Sequence, residues 1–161
     1  MEKIRVTHTF EPVWDEHSRI LILGSFPSVK SREQGFYYGH PQNRFWKVLA
    51  AVAEEPVPDT IDEKKQFLLL HKIAVWDVIA SCEIEGSSDS SIRHVIASDI
   101  AGLLSRTGIT RVFVNGKKAA QLYEKYTLPL TGMKAVCLPS TSPANAAWSL
   151  ERLIAAWKVI S

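Results

Sequence analysis

The sequence has little of what marks disulfide scaffolds, metal centres or membrane proteins. Its 161 residues include two cysteines, Cys82 and Cys137, too few for a disulfide framework or a four-cysteine metal or iron–sulfur site. Free cysteines are commonly buried, so we expect both to be buried. No apolar run approaches the roughly 20 residues that cross a bilayer, and residues 1–14 lack the apolar centre of a signal peptide. These absences predict a cytoplasmic protein without a membrane partner.

Fingerprints of phosphate-binding loops and metal sites are also missing. The sequence contains no GxGxxG, no GxxxxGK(S/T) and no HExxH. A Ser/His/Asp triad lacks the GxSxG elbow that would support it, although all three residue types are present. We therefore expect no metal and no cofactor.

The composition is that of a globular protein: 46% of the residues are hydrophobic and 22% are charged. The length fits one domain with a proper core, so residues 1–161 are predicted to form a single domain. The net charge of +2 permits an anionic partner without requiring one.

Apolar runs alternate with amphipathic segments along the chain. Strands are predicted at residues 19–24, 73–79, 111–115 and 134–138. Helices are predicted at residues 41–53, 60–71, 92–104, 116–126 and 147–157. Residues 81–91 read as a long polar surface loop, and Ser142 with Pro143 reads as the start of the last helix. The alternation predicts an α/β fold, a three-layer α/β/α sandwich around about four parallel strands.

Polar and aromatic groups cluster where these strands end, the usual ligand site of an open α/β sheet. The loop after Gly24 combines three aromatic residues, the hydrogen-bonding groups His40, Gln42 and Asn43, and nearby basic residues. This mixture suits a planar base on a phosphate backbone. Asp77, at the end of an apolar strand, needs a partner. That partner is either a base N–H or the following loop. Hydroxyls at 140–142 suit a phosphate or a helix cap.

Four motifs resemble those of the uracil-DNA glycosylase superfamily. They are GSFP, HPQNRFW, WDV followed by GSSDSSI, and PSTSPANA, and they span about three-quarters of the chain. GFYYGHPQNRFWK is similar to the mismatch-specific uracil/thymine branch. The full set is closer to the hypoxanthine-DNA (deoxyinosine) glycosylases.

The resemblance implies hydrolytic removal of a deaminated base, hypoxanthine above all, from double-stranded DNA by a monomer without a lyase step. Phe26 stands where most members carry a water-positioning Asp or Asn, so the catalytic role passes to Asn43, whose carbonyl would orient water, assisted by His40. Base stacking and recognition fall to Phe26, Phe36, Tyr38 and Asp77. Contacts with DNA phosphates and the minor groove fall to Ser28, Ser140, Thr141, Ser142, Pro143, Asn145 and Lys117.

Two other functions stay open. The first is a G:U/G:T mismatch-specific uracil/thymine glycosylase of the same fold. Leu138 and Pro139 replace the His-Pro that begins the last motif in some relatives, which argues against efficient uracil removal. The second is a non-catalytic nucleotide-binding α/β module.

Overall fold

The computed structural model describes residues 4–161 of the chain. The strands are β1 (Ile4–Thr7), β2 (Ile20–Gly24), β3 (Ile73–Asp77), β4 (Ile79–Ile84), β5 (Arg93–Ala97), β6 (Arg111–Asn115) and β7 (Ala135–Leu138). The helices are α1 (Val29–Gln34), α2 (Phe45–Ala53), α3 (Ile61–Leu70), α4 (Ile100–Ser105), α5 (Lys117–Leu122), α6 (Leu128–Thr131) and α7 (Leu150–Trp157).

The central sheet has four parallel strands in the order β3-β2-β6-β7. Strand β2 lies in the middle, and all five of its residues are buried. Ile20 and Ile22 face a core shared with α2, α3 and α7, whereas Leu21 and Leu23 face a core shared with α4 and α5. Two covered faces explain the unbroken apolar run in β2. The predicted α/β/α sandwich is confirmed.

A second sheet was not predicted. Strands β1, β4 and β5 pair antiparallel in the order β1-β4-β5. The predicted helix at 92–104 is therefore wrong in its first half, because residues 93–97 pair with β4. Apolar residues at 92, 95 and 96 fit a helical stripe, but the β-branched types among them also suit a strand. The helix begins only at Ile100, where the Asp99 carboxylate accepts a hydrogen bond from the Gly102 N–H.

Three helix starts can be compared with the predicted bounds. Helix α3 begins as predicted, after a capping box formed by Thr60 and Glu63. Helix α2 begins at Phe45 and not at residue 41, because residues 40–43 form a turn closed by the Asn43 N–H and the His40 carbonyl. The predicted cap at Ser142 is wrong: Ser149 caps α7, and residues 139–148 form an irregular loop.

Burial was predicted correctly for one cysteine. Cys82 is buried, but Cys137 is exposed on β7, an edge strand of the central sheet. Among residues 4–161, no helix is long and apolar enough to cross a membrane. The same residues contain no cluster of three His, Cys, Asp or Glu side chains placed to hold a metal ion.

Candidate active site

A cavity of about 350 Å³ opens at the carboxyl edge of the central sheet, within the usual size range of ligand sites. It brings together most of the predicted site residues. Those lining it are Phe26, Ser28, Tyr38, His40, Asn43, Asp77, Ser140, Thr141, Ser142 and Pro143. These residues come from three segments far apart in the sequence, and they meet because parallel strands end at one edge.

Three predicted residues do not line the cavity. Phe36 is 4% exposed and packs parallel to Trp46 in the core, so its position does not support base stacking. Asn145 donates from its side-chain amide to the Ser140 carbonyl at 3.0 Å and thereby braces the loop. Lys117 is exposed at the start of α5. It directly follows Gly116, which lies beside Ser140.

Asn43 is held by a chain of hydrogen bonds that crosses the sheet edge. Its Oδ1 accepts from the Phe45 N–H and from the Thr141 hydroxyl, each at 2.9 Å. Thr141 is fully buried and makes two hydrogen bonds with the Asn115 side chain. The Asn115 amide NH2 donates to Thr141 Oγ1 at 3.0 Å, and the Asn115 Oδ1 accepts from the Thr141 backbone N–H at 3.1 Å. Asn115 was predicted only as the last residue of the strand at 111–115 and not as a site residue.

This chain fixes which face of the Asn43 amide meets the cavity. A backbone N–H can only donate, so the atom facing Phe45 is the amide oxygen. Both lone pairs of that oxygen are engaged, and the NH2 group remains for a ligand. The expectation that the carbonyl orients water is therefore not supported by the geometry. Asn43 offers the cavity a hydrogen-bond donor.

His40 is a second donor at the cavity. Its Nδ1 accepts a hydrogen bond from the Gln42 N–H at 3.1 Å. In the neutral ring this places the proton on Nε2. The ring therefore offers an N–H to a ligand without a change of charge.

Tyr38 has three unusual properties. Its φ is +53°, in the left-handed region that a bulky residue rarely adopts. Its ring stacks on Phe45, with centroids 3.9 Å apart and planes 16° apart, so one face is already covered. Its buried hydroxyl makes no hydrogen bond of ordinary geometry with the described residues, although the Asn115 side-chain amide lies nearby. Burial and then the charge of Asp77 raise the pKa of Tyr38, so the hydroxyl stays protonated.

Asp77 lies beside this hydroxyl, at the end of β3. A side chain on Gly24 would place its Cβ 2.5 Å from Asp77 Oδ1 and 3.0 Å from the Tyr38 hydroxyl. Real Cβ atoms do not tolerate the first contact, so only glycine fits there. Because Gly24 has no side chain, the Asp77 carboxylate and the Tyr38 hydroxyl can both lie against it at the cavity wall.

Asp89, from the loop between β4 and β5, was not predicted as a site residue. It lines the rim of the cavity, where the Ser25 hydroxyl donates to its Oδ1 at 3.0 Å. The carboxylate reaches solvent, yet the surrounding protein excludes enough water to raise its pKa. The Ser25 hydrogen bond and Lys118 partly oppose this shift.

The loop at 139–148 is shaped by internal hydrogen bonds. Arg44 donates to three of its carbonyls, those of Ser142, Asn145 and Trp148, so this cation is committed to the fold. Ser140 and Ser142 each accept one backbone N–H from within the loop. Their hydroxyl protons are used by no other described residue, which leaves two donors for an anionic group.

The fold and the site together define an α/β/α protein with a base-sized cavity at a sheet edge, in which amide and hydroxyl donors surround one buried carboxylate. Residues 12–160 match the family model of the uracil DNA glycosylase superfamily. The chain belongs to this superfamily. The resemblance noted in the sequence is thus confirmed, and the chain is a DNA glycosylase, an enzyme that hydrolyses N-glycosidic bonds.

Two relatives carry the name hypoxanthine DNA glycosylase. The protein from Methanosarcina acetivorans is 39% identical over 145 residues, which cover 89% of this chain and 90% of the relative. The protein from Methanosarcina barkeri is 35% identical over 138 residues, covering 84% and 86%. The solution NMR structure of a candidate uracil DNA glycosylase from M. acetivorans superposes with a TM-score of 0.78. It is 33% identical and covers 94% of this chain and 96% of that one.

Proposed function

We propose that this protein removes a deaminated base, hypoxanthine above all, from double-stranded DNA by hydrolysis and without a lyase step. The observation that carries the proposal is the shared cavity, which joins Asn43 of the HPQNRFW motif to Asp77 of the WDV motif. The names of the two relatives support the choice of base.

Base selection rests on Asp77. Hypoxanthine carries a proton on its N1 ring nitrogen, whereas adenine has a lone pair there. A carboxylate accepts hydrogen bonds, so Asp77 attracts hypoxanthine and repels adenine. The base must first leave the duplex stack, at a cost of a few kcal/mol that is smallest for a damaged pair. Phe26, on the cavity wall, offers an aromatic face to the extruded base.

Bond cleavage in this proposal relies on donors. The glycosidic bond breaks with oxocarbenium character on the sugar, its electron pair leaves with the base as negative charge, and water adds to the sugar carbon to complete the hydrolysis. The proposal gives the stabilisation of that charge to the Asn43 NH2 group and the His40 N–H, because both side chains line the cavity and keep a donor unused. The Asn115–Thr141–Asn43 chain fixes the donor before the base arrives, so little reorganisation is needed at the transition state.

In this proposal the residues at the rim of the cavity bind the DNA backbone. Ser140 and Ser142 offer free hydroxyl protons, and Ser28 and Pro143 complete the wall. Lys117 is an exposed cation on the same edge, suited to a phosphate. Asn145 acts indirectly by holding the shape of the loop.

A panel of duplexes tests the proposal. The same oligonucleotide would carry hypoxanthine, uracil, xanthine or a mismatched thymine, and alkali would reveal the abasic product. We expect hypoxanthine to be excised fastest and no strand scission before alkali. Faster excision of uracil or thymine would favour the mismatch-specific alternative. DNA binding with no abasic product from any duplex would leave only the non-catalytic module.

Two further features stay predictions. A monomeric enzyme should elute from a sizing column at the mass of one chain and form one-to-one complexes with a short duplex. Cytoplasmic location would be tested by fractionating cells and following both the protein and the excision activity.

A further inference from the structure

A buried histidine reaches the base-reading carboxylate from the far end of the chain. His8 follows β1, and its backbone N–H donates to the Ala80 carbonyl at 2.7 Å. This pairing with the β4 region brings the imidazole to Asp77, a residue of the cavity wall. There Nε2 lies 2.8 Å from Asp77 Oδ2, and each side chain is 4% exposed. His8 precedes residues 12–160, which match the family model.

Aromatic packing holds the imidazole in one orientation. The ring centroids of Phe10, Tyr37 and Phe26 lie 4.4, 5.8 and 6.1 Å from that of His8. Within residues 4–161, the buried Nδ1 has no hydrogen-bond partner. A buried donor without a partner is costly, so the neutral tautomer with its proton on Nε2 fits this environment. His8 therefore donates its single N–H to Asp77.

The two oxygens of Asp77 consequently differ. Oδ2 is held by His8, whereas Oδ1 accepts no hydrogen bond from the described residues. Oδ1 lies against Gly24, and Asp77 contributes to the cavity wall. One oxygen thus anchors the side chain, and the other is free to read a ligand.

We propose that His8 is a positioning residue that sets base specificity by fixing Asp77 as a hydrogen-bond acceptor. The ligand class selected in this way is a base with a ring N–H beside a carbonyl, such as hypoxanthine. The inference rests on the proposed function of the cavity. Without the His8 donor, Asp77 Oδ2 loses the partner that anchors the side chain, so Oδ1 is no longer fixed as an acceptor towards the ligand. The preference for a base with a ring N–H then falls.

The test compares two bases in the same duplex: hypoxanthine and unsubstituted purine, which lacks both the N1 proton and the carbonyl. Single-turnover excision rates give a hypoxanthine-to-purine ratio for each variant. In His8→Phe, which keeps an aromatic ring but has no donor, we expect this ratio to fall about tenfold or more. His8→Gln, whose amide can donate from a similar reach, should restore most of the ratio.

Two controls separate specificity from folding. His71→Phe removes a histidine–carboxylate contact of similar length, to Glu55 at 2.9 Å, which lies outside the cavity lining, and it should leave the ratio unchanged. In an Asp77→Asn background, His8→Phe should cause no further change, because the proposed effect passes through the carboxylate. This pairwise cycle remains informative if His8→Phe alone is poorly folded, since His8→Leu, which also lacks a donor, can replace it in both backgrounds.

The outcomes are distinguishable. A preserved ratio in His8→Phe, or equal losses on both bases with no rescue by His8→Gln, would overturn the role of His8 and leave the proposed function standing. A wild-type protein that excises neither base would reject the proposed function, and the inference with it.

Discussion

The two sides of the cavity differ in whether their polar groups already have hydrogen-bond partners within the protein. On one side, Asn115, Thr141 and Asn43 form a closed chain in which each internal donor has an acceptor. On the other side, the Tyr38 hydroxyl and Asp77 Oδ1 have no partner among the described residues. The first arrangement fixes a group in advance, whereas the second leaves polar atoms that a ligand would satisfy. In the proposed mechanism, catalysis and recognition are separated in space.

The largest expected effect comes from Asn43→Asp on the satisfied side. Aspartate retains an oxygen that accepts from Phe45 and Thr141, but it replaces the NH2 donor by a second acceptor. If Asn43 works as a donor, excision of hypoxanthine should fall by about 100- to 1000-fold in single-turnover assays. DNA binding, followed by fluorescence anisotropy, should change far less.

Asn43→Ala is the matched control, because it removes both functions of the side chain. We expect it to be no less active than Asn43→Asp, although less stable by about 1 kcal/mol through loss of the acceptor for the Phe45 N–H. An active Asn43→Asp enzyme would instead support a side chain that accepts a hydrogen bond from water. That result would restore the carbonyl role expected from the sequence.

A smaller effect is expected at Thr141, one step behind Asn43. Thr141→Val keeps the volume but removes both hydrogen bonds of the hydroxyl in a fully buried position. Unfolding free energy should drop by about 1–3 kcal/mol in urea titrations. Excision should slow by about tenfold, since Asn43 is then held by Phe45 alone. Thr141→Ser should keep both properties near those of the wild type, and equal damage from Ser and Val would argue against the hydrogen-bond chain.

Some of this site could be predicted from the sequence because its signals are local. Asp77 and Asn115 end apolar strands, and parallel strands bring their ends together, so their meeting follows from the alternation of elements. Asn43 was found through its motif. The central sheet could also be predicted from local patterns, because short apolar runs mark its strands β2, β3, β6 and β7.

The missed features depend on contacts between distant residues. His8 and Asp77 are 69 positions apart, and the antiparallel β1-β4-β5 sheet, whose strands β1 and β4 bring them together, was not predicted. Phe36 sits in an aromatic, polar loop, yet the fold turns it towards Trp46. Ser142 has the local sequence of a cap, but Arg44 holds that loop in another shape. Tertiary contacts of this kind override local propensity.

Tyr38→Phe tests the side of the cavity where polar atoms have no partner within the protein. Deleting a buried hydroxyl without a partner removes a desolvation cost, so the variant should be more stable by about 1 kcal/mol in thermal or urea unfolding. If the hydroxyl donates to the carbonyl of the base, hypoxanthine excision should fall by a few-fold to about tenfold. Gain of stability with loss of activity would identify a polar atom kept for function. Stability gained with activity fully retained would exclude the hydroxyl from recognition.

Asp89→Asn, at the rim of the cavity, gives the smallest expected effect, a change in how stability depends on pH. Since the folded protein raises the pKa of this carboxyl, ionising it costs more in the folded than in the unfolded state. Its contribution to stability is therefore full below the unfolded pKa of about 4 and is lost as the pH rises through the higher folded value. Urea titrations across this window should show Asp89→Asn gaining on the wild type as the pH increases, because asparagine stays neutral and can still accept from Ser25. A difference that stays constant with pH would mean that the rim carboxylate is as well solvated as in the unfolded chain.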